Sequence, residues 1–282
     1  MKKIFGIIGS PISHSLSPLL HNYWFKKYKI DATYSIIDIK EKDLVSVVKK
    51  VKNGTLKGVN VTLPYKQKII NHIDKTINDA NTTGSVNTLL LNNDGLVVGE
   101  NTDVFGLQAG YLKEINDRII KKALVIGAGG VSPSVILSLE KSGINRISIT
   151  NRTYEKCLFL KKNFSYLKIL HWDKLQDEIG NYDIIVNATS LGLKNGQEFN
   201  INFNKCKNDA IYIDTIYNPL KTKTLKFLES KGIKAFNGLD MFIYQGQKSF
   251  YLWNKVNPEI DDDLINLLLS KLKWLKLPLQ DQ

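Results

Sequence analysis

Two stretches in the first hundred residues bring polar groups together at spacings that suit the binding of a small polar molecule. In Gly9-Ser10-Pro11-Ile12-Ser13-His14-Ser15-Leu16-Ser17-Pro18, Ser15 and Ser17 stand two residues apart in a loop. Both hydroxyls can therefore face one small anion, such as a ring carboxylate. Ser17 before Pro18 is equally a helix N-cap with proline at the first helical position, and both readings stay open. His14 and His21 read as packing or helix-surface residues, since nothing gives them metal-ligand spacing. In Gly58-Val59-Asn60-Val61-Thr62-Leu63-Pro64-Tyr65-Lys66, Asn60 and Thr62 share one face of a strand because side chains alternate. Pro64 then turns the chain, and Lys66 follows with an ammonium able to reach a hydroxyl or a ketone. A lysine taken alone is ordinarily a surface residue. Asn87 interrupts an apolar run, and Asp103 closes Asn101-Thr102-Asp103. An aspartate beside Lys66 would hold its ammonium in place and bias its protonation. Asp103 also reads as the N-cap of a helix starting at Val104, a role compatible with the first.

A second kind of chemistry is written further along. The apolar run Ala123–Ile126 leads into Gly127-Ala128-Gly129-Gly130-Val131-Ser132-Pro133 and then a helical pattern. Glycines between a strand and a helix allow a tight turn and let backbone N–H groups approach a pyrophosphate. Ser132 holds the last place of that fingerprint, where Gly or Ala is usual, and Pro133 fits a first helical turn. The next strand ends at Thr150 and delivers Asn151-Arg152-Thr153, with Lys156 close behind. An acidic residue there would select the ribose hydroxyl of NAD, whereas an arginine accommodates the 2′-phosphate of NADP, so NADP is the expected cofactor. Asn187-Ala188-Thr189-Ser190-Leu191-Gly192-Leu193 follows another apolar strand, at the strand end where open α/β sheets bind ligands. A polar turn is its plainer reading.

The elements that must carry these groups follow from periodicity. Residues 4–61 alternate short β-rich runs (Ile4–Ile8, Thr33–Ile39, Gly58–Val61) with helical ones (Pro18–Tyr28, Lys42–Val51). A helix is expected after Pro64, then two strands, Val86–Leu91 and Leu96–Gly99, joined through Asp94-Gly95, a strong hairpin signal. From Lys122 to Phe236, apolar strands recur with helices between most of them, the pattern of a parallel, doubly wound sheet. Two last helices, Met241–Trp253 and Asp261–Leu275, have no strand of their own. The expectation is an α/β protein of two domains with a cleft between them. Residues 1–103 form an N-terminal substrate domain, residues 239–282 pack back on it, and residues 104–238 form a Rossmann-type NADP-binding domain.

Bulk properties narrow the partners. The 282 residues exceed one ordinary domain, and 43% hydrophobic with 23% charged residues suits a folded chain. A net charge of +12 suggests a polyanion. The lysines are scattered, however, and no basic run is interleaved with stacking aromatics, so nucleic acid is not expected. Cys157 and Cys206 are too few and too far apart for a disulfide framework or a metal site, which fits a reducing compartment. No apolar run approaches the ~20 residues of a membrane span. The expected protein is cytoplasmic and metal-free, works on a small molecule, and is a monomer or homodimer.

Nine segments in order resemble the shikimate dehydrogenase family: SHSLSP, NVTLPYK, SVNT, GENTDVFG, GAGG, NRT, NATSLG, DTIYNP and GLDMFIYQ. The resemblance covers nearly the whole chain. It implies NADPH-dependent reduction of 3-dehydroshikimate to shikimate, with Lys66 and Asp103 as the catalytic pair. Ser15, Ser17, Asn60, Thr62, Asn87, Asp103 and Gln245 would contact shikimate, with Tyr217 near its carboxylate. Gly127, Ala128, Gly129, Gly130, Val131, Asn151, Arg152, Thr153 and Lys156 would hold NADP, with Gly238 and Met241 near the nicotinamide end. Valine, serine and proline follow the glycines where family members often carry Ala and Arg, and Lys156 stands where Arg is frequent. A quinate/shikimate dehydrogenase using NAD, and a nucleotide-binding homologue without the reaction, are the alternatives.

Overall fold

Short β-branched runs bounded by turns become strands, and the longer amphipathic runs between them become helices that cover the sheets. A computed structural model describes residues 2–115, 120–193 and 201–274. The chain divides into two units, one built from the residues up to Asp103 together with those from Ile243 onward, the other from Val104–Phe242.

The first unit carries strands β1 (Lys3–Gly9), β2 (Ala32–Asp38), β3 (Gly58–Val61), β4 (Lys75–Thr76), β5 (Thr88–Leu91) and β6 (Val97–Glu100). They form one sheet in the order β2-β1-β3-β5-β6-β4. The pairs β1–β2 and β1–β3 are parallel, while β5 runs antiparallel to both β3 and β6. The β5–β6 hairpin turns at Asn92–Gly95, where Gly95 has φ +71°. Helices α1 (Ser17–Lys27), α2 (Leu44–Lys52) and α3 (Asp79–Thr83) join these strands. Valines and leucines of α2 (Leu44, Val47, Val51) pack with Ile8, Val59, Val61 and Leu89 in one core.

After Pro64 the expected helix is only a 3-10 turn, Lys68–His72. The two-residue strand β4 follows at once, paired to β6 and stitched by Asp74 N–H to the Val97 carbonyl. Capture of this segment by the sheet edge outweighs its weak helical pattern.

The second unit carries a parallel sheet of β7 (Lys122–Ile126), β8 (Arg146–Thr150), β9 (Lys168–Ile169), β10 (Ile184–Asn187), β11 (Ile211–Asp214) and β12 (Lys234–Phe236). Its order, β12-β11-β10-β7-β8-β9, runs outward in both directions from β7 and β10. That is the doubly wound order with its reversal point between those two strands. Alternation explains the unbroken apolar runs. Ala123 and Val125 face a core shared with Val135, Ile184 and Ile213, whereas Leu124 and Ile126 face a second core with Ile185 and Tyr212. Helices α4 (Asp103–Gly110), α5 (Ser132–Lys141), α6 (Tyr154–Asn163), α7 (Leu175–Glu178) and α8 (Lys223–Ser230) accompany the sheet.

The last helices are α9 (Leu239–Asn254) and α10 (Asp262–Trp274). Leu275, the expected end of the final helix, lies outside the described residues. The segment from Ile243 is tied into the first unit by named contacts. Tyr23 donates to Asp261 at 2.7 Å, Trp24 Nε1 donates to the Glu259 carbonyl at 3.0 Å, and Trp253 Nε1 donates to the Leu89 carbonyl at 3.0 Å. Among the described residues, no helix is long and apolar enough to cross a membrane, and no group of three or more His, Cys, Asp or Glu side chains could hold a metal ion.

Candidate active site

In the first unit the strand ends gather the polar residues. Asn60 sits on β3, buried, and is fixed by four bonds. Its Oδ1 accepts from the Tyr34 hydroxyl at 2.7 Å, and its Nδ2 donates to Ser249 Oγ at 3.0 Å and to Thr88 Oγ1 and the Asn87 carbonyl at 3.1 Å. Thr62 lies one residue past β3, half-buried, its N–H continuing the ladder to the Ile8 carbonyl.

Lys66 is buried to 9% exposure, against the ordinary habit of lysine. Its ammonium donates to Asp103 Oδ2 at 2.5 Å, and Asn87 Nδ2 donates to Asp103 Oδ1 at 2.8 Å. The Asn87 amide has only one possible orientation, because its Oδ1 accepts the backbone N–H of Thr102 at 2.8 Å. Its Nδ2 must then face Asp103. Both carboxylate oxygens thus meet donors. Asp103 is the first residue of α4 and not the residue before it, and its own N–H is held by Asn101 Oδ1 at 3.1 Å. Gln245 on α9 reaches the same cluster, its Oε1 lying 3.4 Å from Asn87 Nδ2.

Ser15 and Ser17 are adjacent as expected, with Oγ atoms 3.2 Å apart. The capping reading of Ser17 is not what the chain adopts. Ser17 is already the first helical residue of α1, the N-cap Leu16 makes no side-chain bond, and Ser15 Oγ accepts the Ser17 N–H at 3.2 Å. Its hydroxyl is buried and accepts from Ser15 Oγ.

Sequence reasoning missed Tyr34, Thr88, Thr102 and Ser249. Ser249 Oγ lies 2.8 Å from Thr88 Oγ1 and 3.1 Å from Thr102 Oγ1, so it joins β3, β5 and the turn before α4. The one available signal was its place four residues after Gln245, on the same helix face.

The second unit sets its candidate groups at the carboxyl ends of β7, β8 and β10. Gly127 has φ +111°, and a Cβ there would lie 2.7 Å from Thr189 Cγ2 and 2.9 Å from the Ala188 carbonyl oxygen, so only glycine fits. Asn151 Oδ1 accepts from Ala128 N–H at 3.2 Å, and Asn151 Nδ2 donates to the Thr153 carbonyl at 2.9 Å. The asparagine thereby ties the glycine turn to the loop after β8. Gly129 N–H donates to Ser132 Oγ at 3.0 Å, which explains a serine at the fingerprint's last place. Gly130 and Val131 complete the turn into α5, whose N-cap is Val131.

Arg152, Thr153 and Lys156 are exposed, and among the described residues neither cation has an ion-pair partner. Thr189 is half-buried against the glycine turn, its hydroxyl donating to Asn187 Oδ1 at 2.7 Å. Tyr217 belongs to this unit and packs on Phe242 with ring centroids 4.7 Å apart. Gly238 is pressed on the Thr215 backbone, where a Cβ would lie 2.3 Å from the carbonyl oxygen. Met241 is buried in the core with Leu107, Tyr111 and Ile136.

A glycine cradle that a side chain would fill, at the reversal point of a doubly wound sheet, with unpaired cations beyond the neighbouring strand, suits a phosphorylated dinucleotide. Fold and site define a two-unit α/β protein of the Rossmann class.

Family models carry this further. Residues 7–89 match the shikimate dehydrogenase substrate binding domain, and residues 112–214 match the shikimate / quinate 5-dehydrogenase model. The shikimate dehydrogenase (NADP(+)) of Pelagibacter ubique is 45% identical over 95% of this chain and 99% of its own. The crystal structure of shikimate dehydrogenase from Aquifex aeolicus superposes with TM-score 0.85 at 33% identity, covering 96% of this chain and 98% of that one. The Thermus thermophilus shikimate 5-dehydrogenase, in complex with NADP(H) and shikimate, gives 0.84 at 29% identity, covering 96% and 99%. The chain belongs to the shikimate dehydrogenase family.

Proposed function

We propose that this protein reduces 3-dehydroshikimate to shikimate with NADPH, reversibly, and that Lys66 and Asp103 are its catalytic pair. The observation that carries the reading is the buried Lys66–Asp103 contact, with the second carboxylate oxygen taken up by Asn87. NADPH, when bound, supplies the hydride. Gly127 to Val131, Asn151, Arg152, Thr153, Lys156 and Thr189 would hold it, the two cations at the 2′-phosphate.

The chain's own residues manage the proton and the charge. As the ketone becomes an alkoxide, the Lys66 ammonium donates the proton. Asp103, whose two oxygens accept from Lys66 and Asn87, holds the ammonium in place. Ser15 and Ser17 offer two hydroxyls to the ring carboxylate, and Asn60, Thr62, Asn87 and Gln245 offer donors and acceptors to the ring hydroxyls. Tyr217, Gly238 and Met241 complete the assignment. Two free, buried cysteines fit a reducing, cytoplasmic setting.

The test is absorbance of NADPH while shikimate or quinate is offered with NADP or NAD, for wild type and Lys66→Ala. The expected result is fast reduction of NADP by shikimate and a loss of kcat of about 100- to 10,000-fold in the variant. Loss of affinity with turnover intact would reduce Lys66 to a binding residue. Faster turnover of quinate with NAD would replace the reading by that of a quinate enzyme.

A further inference from the structure

Asp214, at the end of β11, is a carboxylate with no exposed surface and no cation to pair with among its hydrogen-bond partners. Burial pushes its pKa up to about 6, opposed by hydrogen bonds from Ile216, Thr222 and Asn187. A buried acid of this kind needs a reason to be retained, since an apolar residue would fill the same space at lower desolvation cost. Its bonds supply one. Oδ1 accepts from Asn187 Nδ2 at 3.0 Å and from the Ile216 N–H at 3.0 Å, while Oδ2 accepts from Thr222 Oγ1 at 3.1 Å.

Each bond leads to a candidate cofactor element. Because Asn187 Nδ2 is engaged by Asp214, its Oδ1 must turn the other way. There it accepts both the N–H of Thr189 at 3.0 Å and the Thr189 hydroxyl at 2.7 Å. Thr189 in turn lies against the glycine turn, 2.7 Å from the place a Gly127 Cβ would take. Through Ile216, the carboxylate sets the segment against which Gly238 packs, with the Gly238 N–H donating to the Ile216 carbonyl at 2.8 Å. Through Thr222, which caps α8 by accepting from Leu225 N–H at 3.2 Å, it holds the far end of the loop that bears Tyr217.

We propose that Asp214 is the positioning residue of the second unit's dinucleotide site, setting Thr189 through Asn187 and the Gly238 contact through Ile216. It touches neither substrate nor cofactor. The inference rests on the NADPH reading above and deepens it.

The test is NADPH binding followed by the cofactor's own fluorescence, without the second substrate, in wild type, Asp214→Ala, Asn187→Ala, Thr189→Ala and Asp214→Asn. A wild type that fails to bind NADPH overturns the cofactor reading itself, and the inference with it. Given binding, Asp214→Ala and Asn187→Ala are expected to raise the NADPH Kd about tenfold or more, the loss of one well-placed hydrogen bond. Combining either with Thr189→Ala should cost less than the product of the single effects, because all three cut one path. Asp214→Asn should return Kd to within about threefold of wild type, since its carbonyl can accept the same two donors while its amide faces the Thr222 oxygen. A merely structural role would give independent effects and no such rescue. Unchanged Kd in Asp214→Ala, or effects that multiply with Thr189→Ala, overturns the inference. Should Asp214→Ala fail to fold, Asn187→Ala carries the test alone, since it leaves the carboxylate its bonds from Ile216 and Thr222, and an unchanged Kd there overturns it equally.

Discussion

Lys66 and Asp103 stand 37 positions apart in the chain and 2.5 Å apart in the fold. A buried pair of this kind stabilises little by itself, because desolvating two charges offsets most of their attraction. Its value lies in a fixed ammonium, and Asn87 makes that possible by occupying the other oxygen. The serine, lysine and asparagine motifs were readable because their residue types are unusual in such runs. Tyr34, Thr88 and Ser249 were not, since a tyrosine or threonine on a strand and a serine on a helix are common and only their meeting at Asn60 gives them a role. The same scale governs cofactor choice. Arg152 is exposed and among the described residues has no acidic partner, so replacing it removes little from the folded chain. Arg152→Ala is expected to raise KM for NADP about 10- to 100-fold, the worth of a charge-assisted phosphate contact, and to leave KM for NAD nearly unchanged. Steady-state kinetics with both cofactors reads this directly, and an equal rise for both would remove Arg152 from the 2′-phosphate.

Among the elements, α9 does more than its sequence announced. The sequence left it without a strand of its own, expected to pack back on the first unit, but the partner strand was not readable. Trp253 lies across β3 at Gly58, where a Cβ would come within 2.3–2.6 Å of the indole ring. The glycine that looked like a strand boundary is a packing site. Gly58→Ala should therefore destabilise the first unit by about 1–3 kcal/mol through displacement of that ring, seen as a lower urea midpoint with an unchanged far-UV spectrum. A midpoint equal to wild type would mean that the ring moves aside freely. Local pattern also failed after Pro64. There a two-residue strand at the sheet edge took the chain, because ladder bonds to β6 and the Val97 contact outweigh a few tenths of a kcal/mol of helix preference.

For the molecule as a whole, two buried titrating groups set opposite pH dependences. His21 has no exposed surface and stacks on Tyr34 at 4.4 Å, with Trp24 and Trp253 beside it. Burial lowers its pKa from 6.5 to about 3, with Asn60 pulling weakly the other way. The unfolded chain takes up this proton first. The contribution is therefore intact above pH 6.5 and is lost as pH falls toward 3, at about 1.4 kcal/mol per pH unit. Asp214 runs the other way. Its folded pKa is raised from 3.8 to about 6 by burial, so its contribution is full below 3.8 and is lost as pH rises through 6. The comparison of wild type with His21→Phe isolates the histidine. Between pH 6 and pH 4, wild type should lose about 1.4 kcal/mol more per pH unit than the variant, by urea unfolding at each pH. A gap that does not change with pH would show that His21 titrates normally in the folded chain.

Sequence alone determined the two α/β units, the doubly wound pattern, the glycine turn with its phosphate-suited arginine, and the order of polar motifs that resembles this family. These are local signals: period, turn residues and short spacings act over a few positions, and the chain obeys them wherever no distant partner competes. Tertiary structure alone decided which polar groups meet. Ser249 completes the cluster at Asn60, Asn87 is held in one orientation by the Thr102 N–H, and Asp214 joins the ends of β10 and β11. Each of these is a contact between segments far apart in sequence, where burial removes water and leaves every donor to find an acceptor.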